Sequence, residues 1–291
     1  MKKIIYALIL ALIGLYILLA VFSSGNEYAA EKLLYHAIRI NTKFAANPDV
    51  VPPAMRGTVE RYLSIILNKY PASKVSGVAR LSLAEFYIAS KKYDKASPVL
   101  DDIMARYPSD EGAQSRAQFL RGLIYEKQDK WDRALEEYNL LMTKYPKTQL
   151  GLQIPFYIAR YYHGKGQQEL AKAAYSNAVP FYKKLEEENR NNLAGYASAN
   201  LLVYAYMYLG QYEEAGKTAV DALNTYPLPL SLRDQMQNVD IIYLNMLKRP
   251  QEAIEIFRGV REKTKDPRAQ KLLDRHIADI EKQMLDKKQA N

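Results

Sequence analysis

Three stretches of the chain repeat one pattern of apolar and polar positions. They are YIASKKYDKASPVLDDIMARYP (87–108), YEKQDKWDRALEEYNLLMTKYP (125–146) and YMYLGQYEEAGKTAVDALNTYP (206–227). Each opens on Tyr, has an aromatic at its seventh place (Tyr93, Trp131, Tyr212) and Ala at its tenth (Ala96, Ala134, Ala215). Each closes on Tyr-Pro. Leu100, Tyr138 and Ala219 stand one helical turn after those alanines, on the same face. The spacing predicts a helix ending near the opening Tyr, then a short turn (ASKK, KQDK, YLGQ). A second helix starts near Asp94, Asp132 or Glu213, where an acidic side chain caps or complements free backbone N–H groups. Ala then lies in its first turns, where two helices cross closely and a larger side chain would force them apart. Pro108, Pro146 and Pro227 stop that helix, because Pro lacks an N–H and disfavours a helical residue before it. Ala96 to Ala134 is 38 residues, and so is Pro108 to Pro146. Self-similarity at such a period implies an all-α solenoid of helix pairs.

These positions resemble the tetratricopeptide repeat (TPR). The resemblance rests on the small residue of the first helix (Ala84, Gly122, Ala159) and on Tyr87, Tyr125, Tyr162 and Tyr206. It rests also on Ala96, Ala134, Ala171 and Ala215 and on the closing prolines. It implies a right-handed solenoid. The third repeat keeps Tyr175 and Ala178 but has Lys183 where Pro is expected, and Pro180 inside it predicts a second helix that ends early or bends. The charged run 183–192 is expected as an extended helix end or an insertion. In a weaker fifth repeat Ala253 and Phe257 fit, Leu244 replaces Tyr, and Pro250 is expected in the turn. An incomplete leading repeat ends ERYLSIILNKYP (60–71), and residues 268–286 form a polar amphipathic cap. The expected organisation is a membrane anchor over 1–24, leading helices and an incomplete repeat over 25–71, repeats over 72–267, and a cap and tail over 268–291. The long period and the longer loops after Tyr-Pro are similar in style to bacterial envelope TPR proteins, the outer-membrane assembly lipoprotein type and the Tol–Pal associated type. This chain lacks the lipobox Cys of the former.

Met1-Lys2-Lys3 precedes IIYALILALIGLYILLAVF (4–22), an uncharged run. At about 1.5 Å per residue such a helix just spans a hydrocarbon core of roughly 30 Å. An uncleaved single-pass anchor is expected. Lys2 and Lys3 before the run, and Glu27, Glu31 and Lys32 after it, favour a cytoplasmic N-terminus and an exported C-terminal domain. The expected place is a bacterial inner membrane, with the repeats in the periplasm. Ser23-Ser24-Gly25 leaves cleavage after Gly25, and a soluble periplasmic protein, as the alternative. A buried soluble helix is the third. Hydrophobic residues make up 48% and charged residues 25%, which excludes global disorder. Net charge is +9, but Lys and Arg are scattered among Asp and Glu, so solvated helix faces are expected and nucleic acid is not. Cysteine is absent, which excludes disulfides, thiolate metal sites and a Cys nucleophile.

Little else points to chemistry. His36, His163 and His276 are far apart and outside any HExxH pattern. GKGQQ (164–168) reads as an inter-helix turn. The pairs Asp101-Asp102 and Glu136-Glu137 read as solvated charges on outward faces, and Trp131 as core packing. No catalytic residue, cofactor or metal is expected. In TPR solenoids the first helix of each pair lines a concave groove. Carried over, the groove residues are Arg116, Phe119, Leu120 and Leu123, then Gln153, Phe156, Tyr157, Arg160 and His163, then Asn200, Tyr204, Met207 and Tyr208. Aromatics with Arg and Asn suit a protein-binding surface. The Lys/Asn clamp that holds C-terminal carboxylates is not reproduced, since its places hold Leu81, Glu85, Leu123, Phe156 and Arg160. The expected function is a membrane-tethered scaffold or adaptor for envelope proteins. The alternative is a permanent accessory subunit of an inner-membrane complex, with the anchor helix and the apolar face of 28–40 making contacts.

Overall fold

The computed structural model describes the backbone of residues 2–47, 50–226 and 232–289, with side chains at 12–13 and from 26 onward except 287–288. Among the described residues the regular structure is all helical. The chain divides into two compact units, Met1–Leu150 and Gly151–Asn291.

The first unit holds α1 (Lys2–Ala46), α2 (Pro53–Lys69), α3 (Ser76–Ala89), α4 (Tyr93–Arg106), α5 (Glu111–Lys127) and α6 (Trp131–Lys144). Each helix packs on the next. One core runs through α1 to α5, with Ala30, Leu63, Ala96, Leu100 and Ala117 fully buried. α7 (Gln149–Gly164) opens at the boundary. The second unit continues with α8 (Gln168–Glu188), α9 (Leu193–Tyr208), α10 (Tyr212–Thr225), α11 (Leu232–Val239), a π-helical segment (Asp240–Met246), α12 (Pro250–Lys263) and α13 (Pro267–Gln289). Its core centres on Tyr182, Val203, Ile242, Phe257 and Leu273.

The expected repeat register holds. Ala96, Ala134 and Ala215 are fully buried at the start of α4, α6 and α10, and Leu100, Tyr138 and Ala219 are buried one turn later. The small residue of the first helix is needed as well. A Cβ at Gly122 would meet Cε1 of the buried Tyr138 ring at less than any real contact distance, and Cδ1 at 2.8 Å. Each turn within a pair passes through a left-handed residue: Lys91, Asp129, Gly166, Gly210 or Lys248. That geometry ends a helix and reverses the chain in a few residues.

The Tyr-Pro ends do more than stop a helix. Tyr107, Tyr145 and Tyr226 are the C-caps of α4, α6 and α10, their N–H groups bonded to Ile103, Leu141 and Ala222. Pro227 lies outside the described residues. The Tyr107 ring rests 3.4 Å from the Cβ position of Gly77, and its hydroxyl accepts from Arg80 Nη1 at 3.3 Å. Tyr145 Oη donates to Gln114 Oε1 at 3.2 Å, and Tyr226 Oη to Glu186 Oε1 at 2.9 Å. In α4 and α6 the tyrosine thus ties the end of the second helix to the start of its partner.

Several expectations need correction. Asp94, Asp132 and Glu213 do not cap, because Lys92, Lys130 and Gln211 are the N-caps and none makes a side-chain cap bond. The acids sit in the first turn and complement the helix dipole. α8 does not end early: it runs through Pro180 to Glu188, held by the buried stripe Tyr175, Ala178, Tyr182 and Leu185. Tyr182 Oη also donates to Leu152 O at 2.7 Å. The run from 183 is therefore an extended helix end, followed by a turn at 189–192. Pro250 is not in the turn but opens α12, where its missing N–H costs nothing. Leu244 lies in the π-helical segment. Asp102 and Glu137 are not merely solvated. Asp102 bonds Arg80 at 2.8 Å and Arg106 at 2.6 Å, and Glu137 accepts from the buried Gln118 amide.

At the N-terminus α1 is one unbroken helix. Among the described residues no helix is long and apolar enough to cross a membrane. The expected span, 4–22, lies almost wholly outside the residues described with side chains.

Candidate functional site

In the second unit α7 and α9 present matching faces. Gln153, Phe156 and Arg160 stand at i, i+3 and i+7 on α7. Leu201, Tyr204 and Tyr208 stand at the same intervals on α9. Such spacing puts each set on one face of its helix, and the six line one cavity of about 390 Å³. Phe156 forms its floor, edge-on to Tyr175 at 5.3 Å and to Tyr208 at 5.9 Å. Tyr208 lies flat on Tyr175, with centroids 4.5 Å apart. Both mouth tyrosines face solvent, Tyr204 at 41% and Tyr208 at 64% exposure. Burial pushes the Tyr175 hydroxyl up and the nearby Tyr208 adds to this, while the Arg160 charge opposes it. Burial likewise raises Tyr204, with Asp234 and Tyr196 adding to it. The raised Tyr175 and Tyr204 phenols are neutral near pH 7 and offer hydrogen bonds beside a cationic guanidinium. Such a wall suits an apolar side chain flanked by acidic or carbonyl groups.

The structure thus brings Phe156, Arg160, Tyr204 and Tyr208 together. It does not bring in Tyr157, which is half-buried and outside the lining. Asn200 is outside it too, because its Nδ2 donates to Tyr196 O at 3.1 Å and its Oδ1 accepts from Asn238 at 2.9 Å. Its amide braces α9 against α11.

The other expected residues, Arg116, Phe119 and Leu123, belong to the first unit and line a larger groove of about 960 Å³ on α5. α3 contributes Val78, Leu81 and Glu85, and α1 contributes Ile38, Asn41 and Phe44. Arg116 does not stand free: its Nη2 is 2.5 Å from Glu85 Oε1. Asn41 was missed by sequence reasoning. It is 7% exposed, its Nδ2 donates to Ser82 O at 3.4 Å, and its Oδ1 has no partner among the described residues. The signal was present, since Asn41 interrupts the buried stripe Ala30, Leu34, Ala37, Phe44 of α1.

The histidines stay apart. His163 Nδ1 meets Gln168 Oε1 at 3.0 Å, His36 is exposed, and His276 Nε2 meets Asp240 Oδ1 at 2.9 Å. Burial raises the Asp240 carboxyl, which His276 opposes. Among the described residues no group of three or more His, Asp or Glu is placed to hold a metal ion.

Comparison with known proteins agrees on the repeat. Residues 116–148, which cover most of α5 and all of α6, match the tetratricopeptide repeat family. No curated protein matches the chain. Among solved structures it is similar to the crystal structure of BtubC (BKLC) from P. vanneervenii, at 15% identity and a TM-score of 0.37. That match covers 83% of this chain and 94% of the other. The chain therefore carries a tetratricopeptide repeat within an all-helical fold, a type that generally mediates protein–protein contacts and is usually not catalytic.

Proposed function

We propose that this chain is a scaffold of the bacterial cell envelope, tethered to the inner membrane by residues 4–22, with its repeats in the periplasm. Its first helices hold an extended or helical segment of a protein partner. The observation that carries the reading is the cavity on α7 and α9, where Phe156, Arg160, Tyr204 and Tyr208 converge at matching helical intervals. Aromatic walls supply affinity, and Arg160 fixes the orientation of the bound segment. The envelope assignment rests on the basic-then-apolar N-terminus and on the 38-residue repeat spacing.

The test is purification of the full chain from bacterial membranes in mild detergent, with mass spectrometry of what accompanies it. Arg160→Ala/Tyr204→Ala should weaken capture of a partner about 5- to 150-fold, the effect of losing about 1–3 kcal/mol. Helicity should be unchanged, since both side chains face solvent. Wild-type capture by the folded variant would move the binding site off this face.

A second reading, a permanent subunit of a membrane complex, is favoured by one feature of α1. Tyr28, Tyr35 and Ile38 are exposed on one side of the helix, at 66%, 61% and 38%. A stoichiometric complex that survives Arg160→Ala/Tyr204→Ala but not Tyr35→Ala would support it instead.

A further inference from the structure

We infer that the edge of the first unit carrying its Tyr-Pro turns is a contact surface for phospholipid headgroups, an inference that rests on the membrane-anchor reading above. α1 continues without a break from Lys2 to Ala46. Ala30, eight residues past the end of the apolar run, is already fully buried in the core of the unit. No linker separates the apolar run from the repeats, so the helix sets their height above the bilayer.

That height follows from Glu27. It lies five residues beyond Phe22, or about 7.5 Å along the axis at 1.5 Å per residue. Headgroup layers extend roughly 5–7 Å beyond the hydrocarbon on each side. The Glu27 carboxylate accepts from Ser73 Oγ at 3.0 Å and from the Lys74 N–H at 3.2 Å. The turn between α2 and α3 is thereby fastened at the outer boundary of the headgroup layer. A helix tilt of about 20° would shift a turn one helix width away by only about 3 Å.

The other turns on this edge follow from the helix directions. Phe44 packs on Phe86 at 5.8 Å, late residue on late residue, so α3 runs with α1. α2 ends at Lys69 in the same turn from which α3 starts, and Tyr87, late in α3, bonds Glu60 near the middle of α2 at 3.0 Å. Arg80, early in α3, bonds Asp102, late in α4. Gln114, early in α5, bonds Met104 O at 2.8 Å and meets Tyr145 at the end of α6. Helices that start near the membrane therefore alternate with helices that return to it. All three Tyr-Pro turns of the unit face the side from which α1 enters.

The chemistry of that edge fits lipid phosphates. Lys69, Lys74, Lys144 and Lys147 are exposed there, and none is ion-paired among the described residues. Of the acids between them, Asp110 is occupied in capping the Ala113 N–H of α5, at 3.0 Å, and Glu111 opens that helix. Tyr28, next to Glu27 on α1, is exposed as an interfacial aromatic would be. Clustered lysines beside a membrane helix are drawn to anionic headgroups.

The chain has no cysteine, so one introduced thiol can be labelled cleanly. The experiment uses the full chain in vesicles of phosphatidylcholine and phosphatidylglycerol. An environment-sensitive fluorophore is placed at Ala72→Cys, in the α2–α3 turn, or at Lys127→Cys, at the opposite end of α5. A headgroup-attached spin label is the quencher. The inference expects co-flotation with vesicles, quenching at residue 72 severalfold stronger than at 127, and a clear loss of that quenching in Lys69→Glu/Lys74→Glu with circular dichroism unchanged. Failure to float would overturn the anchor and this inference together. Flotation with equal, weak quenching at both positions would overturn the inference alone and leave the anchor standing. Strong quenching at residue 72 that ignores the lysine reversal would remove the phosphate contact.

Discussion

One methyl group added at Gly122 is predicted to destabilise the first unit, although Gly→Ala in the middle of a helix ordinarily stabilises by about 0.5–1 kcal/mol. The new Cβ would stand 2.8 Å from Tyr138 Cδ1 and 3.0 Å from Cζ, and closer still to Cε1. Ordinary carbon contacts are about 3.5–4.0 Å, so the ring must retreat by about 1 Å or more. It has nowhere to go: Tyr138 is 0% exposed and packed against Phe119 and Trp131, with its hydroxyl on Glu126 at 2.9 Å. Overpacking of this kind costs about 1–3 kcal/mol. The net loss should be about 1 kcal/mol, or about 2–4 °C in Tm for a domain of 150–250 residues. Gly259→Ala in α12 is the control, because nothing lies within 4 Å of its Cβ position; it should raise stability. The preceding repeat suggests the rescue. There the matching positions hold Ala84 and Leu100, both fully buried. Gly122→Ala/Tyr138→Leu should therefore be less destabilising than the sum of its single substitutions. Urea and thermal melts followed by circular dichroism give all four numbers. Gly122→Ala and Gly259→Ala moving the same way, or strict additivity in the cycle, would refute the close approach of α5 and α6.

Other outcomes follow from the same packing. Ala134→Glu should cost about 3 kcal/mol or more, from desolvation plus overpacking at a fully buried crossing. Glu136→Ala, an exposed partner of Arg133, should stay within about 0.5 kcal/mol by urea melt. Asp102→Asn should cost about 1–2 kcal/mol, a figure reduced for the 40% exposure of Asp102, because it leaves the 7%-exposed Arg80 without its anion; Arg106→Ala should cost less. Burial pushes Asp102 up, but hydrogen bonds from Arg106 and Arg80 hold it below the usual 3.8. Glu60 is likewise raised by burial but held below 4.5 by Tyr87, Lys92 and Lys95. With both folded values depressed, their contribution is present above pH 3.8–4.5 and is lost as pH falls through the folded values, so an acid titration of wild type should be steeper there than that of Asp102→Asn. The anchor reading expects the mature protein to keep Met1 and stay with membranes in high salt, and an intact mass starting near Asn26 would contradict it.

The repeat register was legible because its determinants act over a few residues. Pro108 and Pro146 directly follow the helix ends at Tyr107 and Tyr145, and Ala96, Ala134 and Ala215 mark crossings within their own turns. The same locality explains why Pro250 was misplaced by only one element, from turn to helix start. What sequence spacing could not show were contacts between residues far apart in the chain. Tyr145 reaches Gln114 across 31 residues, and Asn200 is taken up by Asn238 across 38. Glu137 looked outward by its neighbours alone, but the fully buried Gln118 on α5 makes it a partner. The site divides in the same way. Phe156, Arg160, Tyr204 and Tyr208 converge because intervals of three, four and seven keep side chains on one face of a helix. Tyr157 and Asn200 fall outside because one residue of offset turns a side chain by about 100°.

The most direct test of the scaffold reading places a photo-crosslinking benzoylphenylalanine at Tyr204 of the full chain in bacterial membranes. A second version carries it at Lys217, an exposed residue of α10 whose ammonium pairs with Glu214. Illumination followed by mass spectrometry should give a defined protein adduct at Tyr204, none at Lys217, and a much weaker adduct at Tyr204 once Arg160 is replaced by Ala. Equal adducts at both positions, or none at Tyr204 in a folded, membrane-bound protein, would contradict the account.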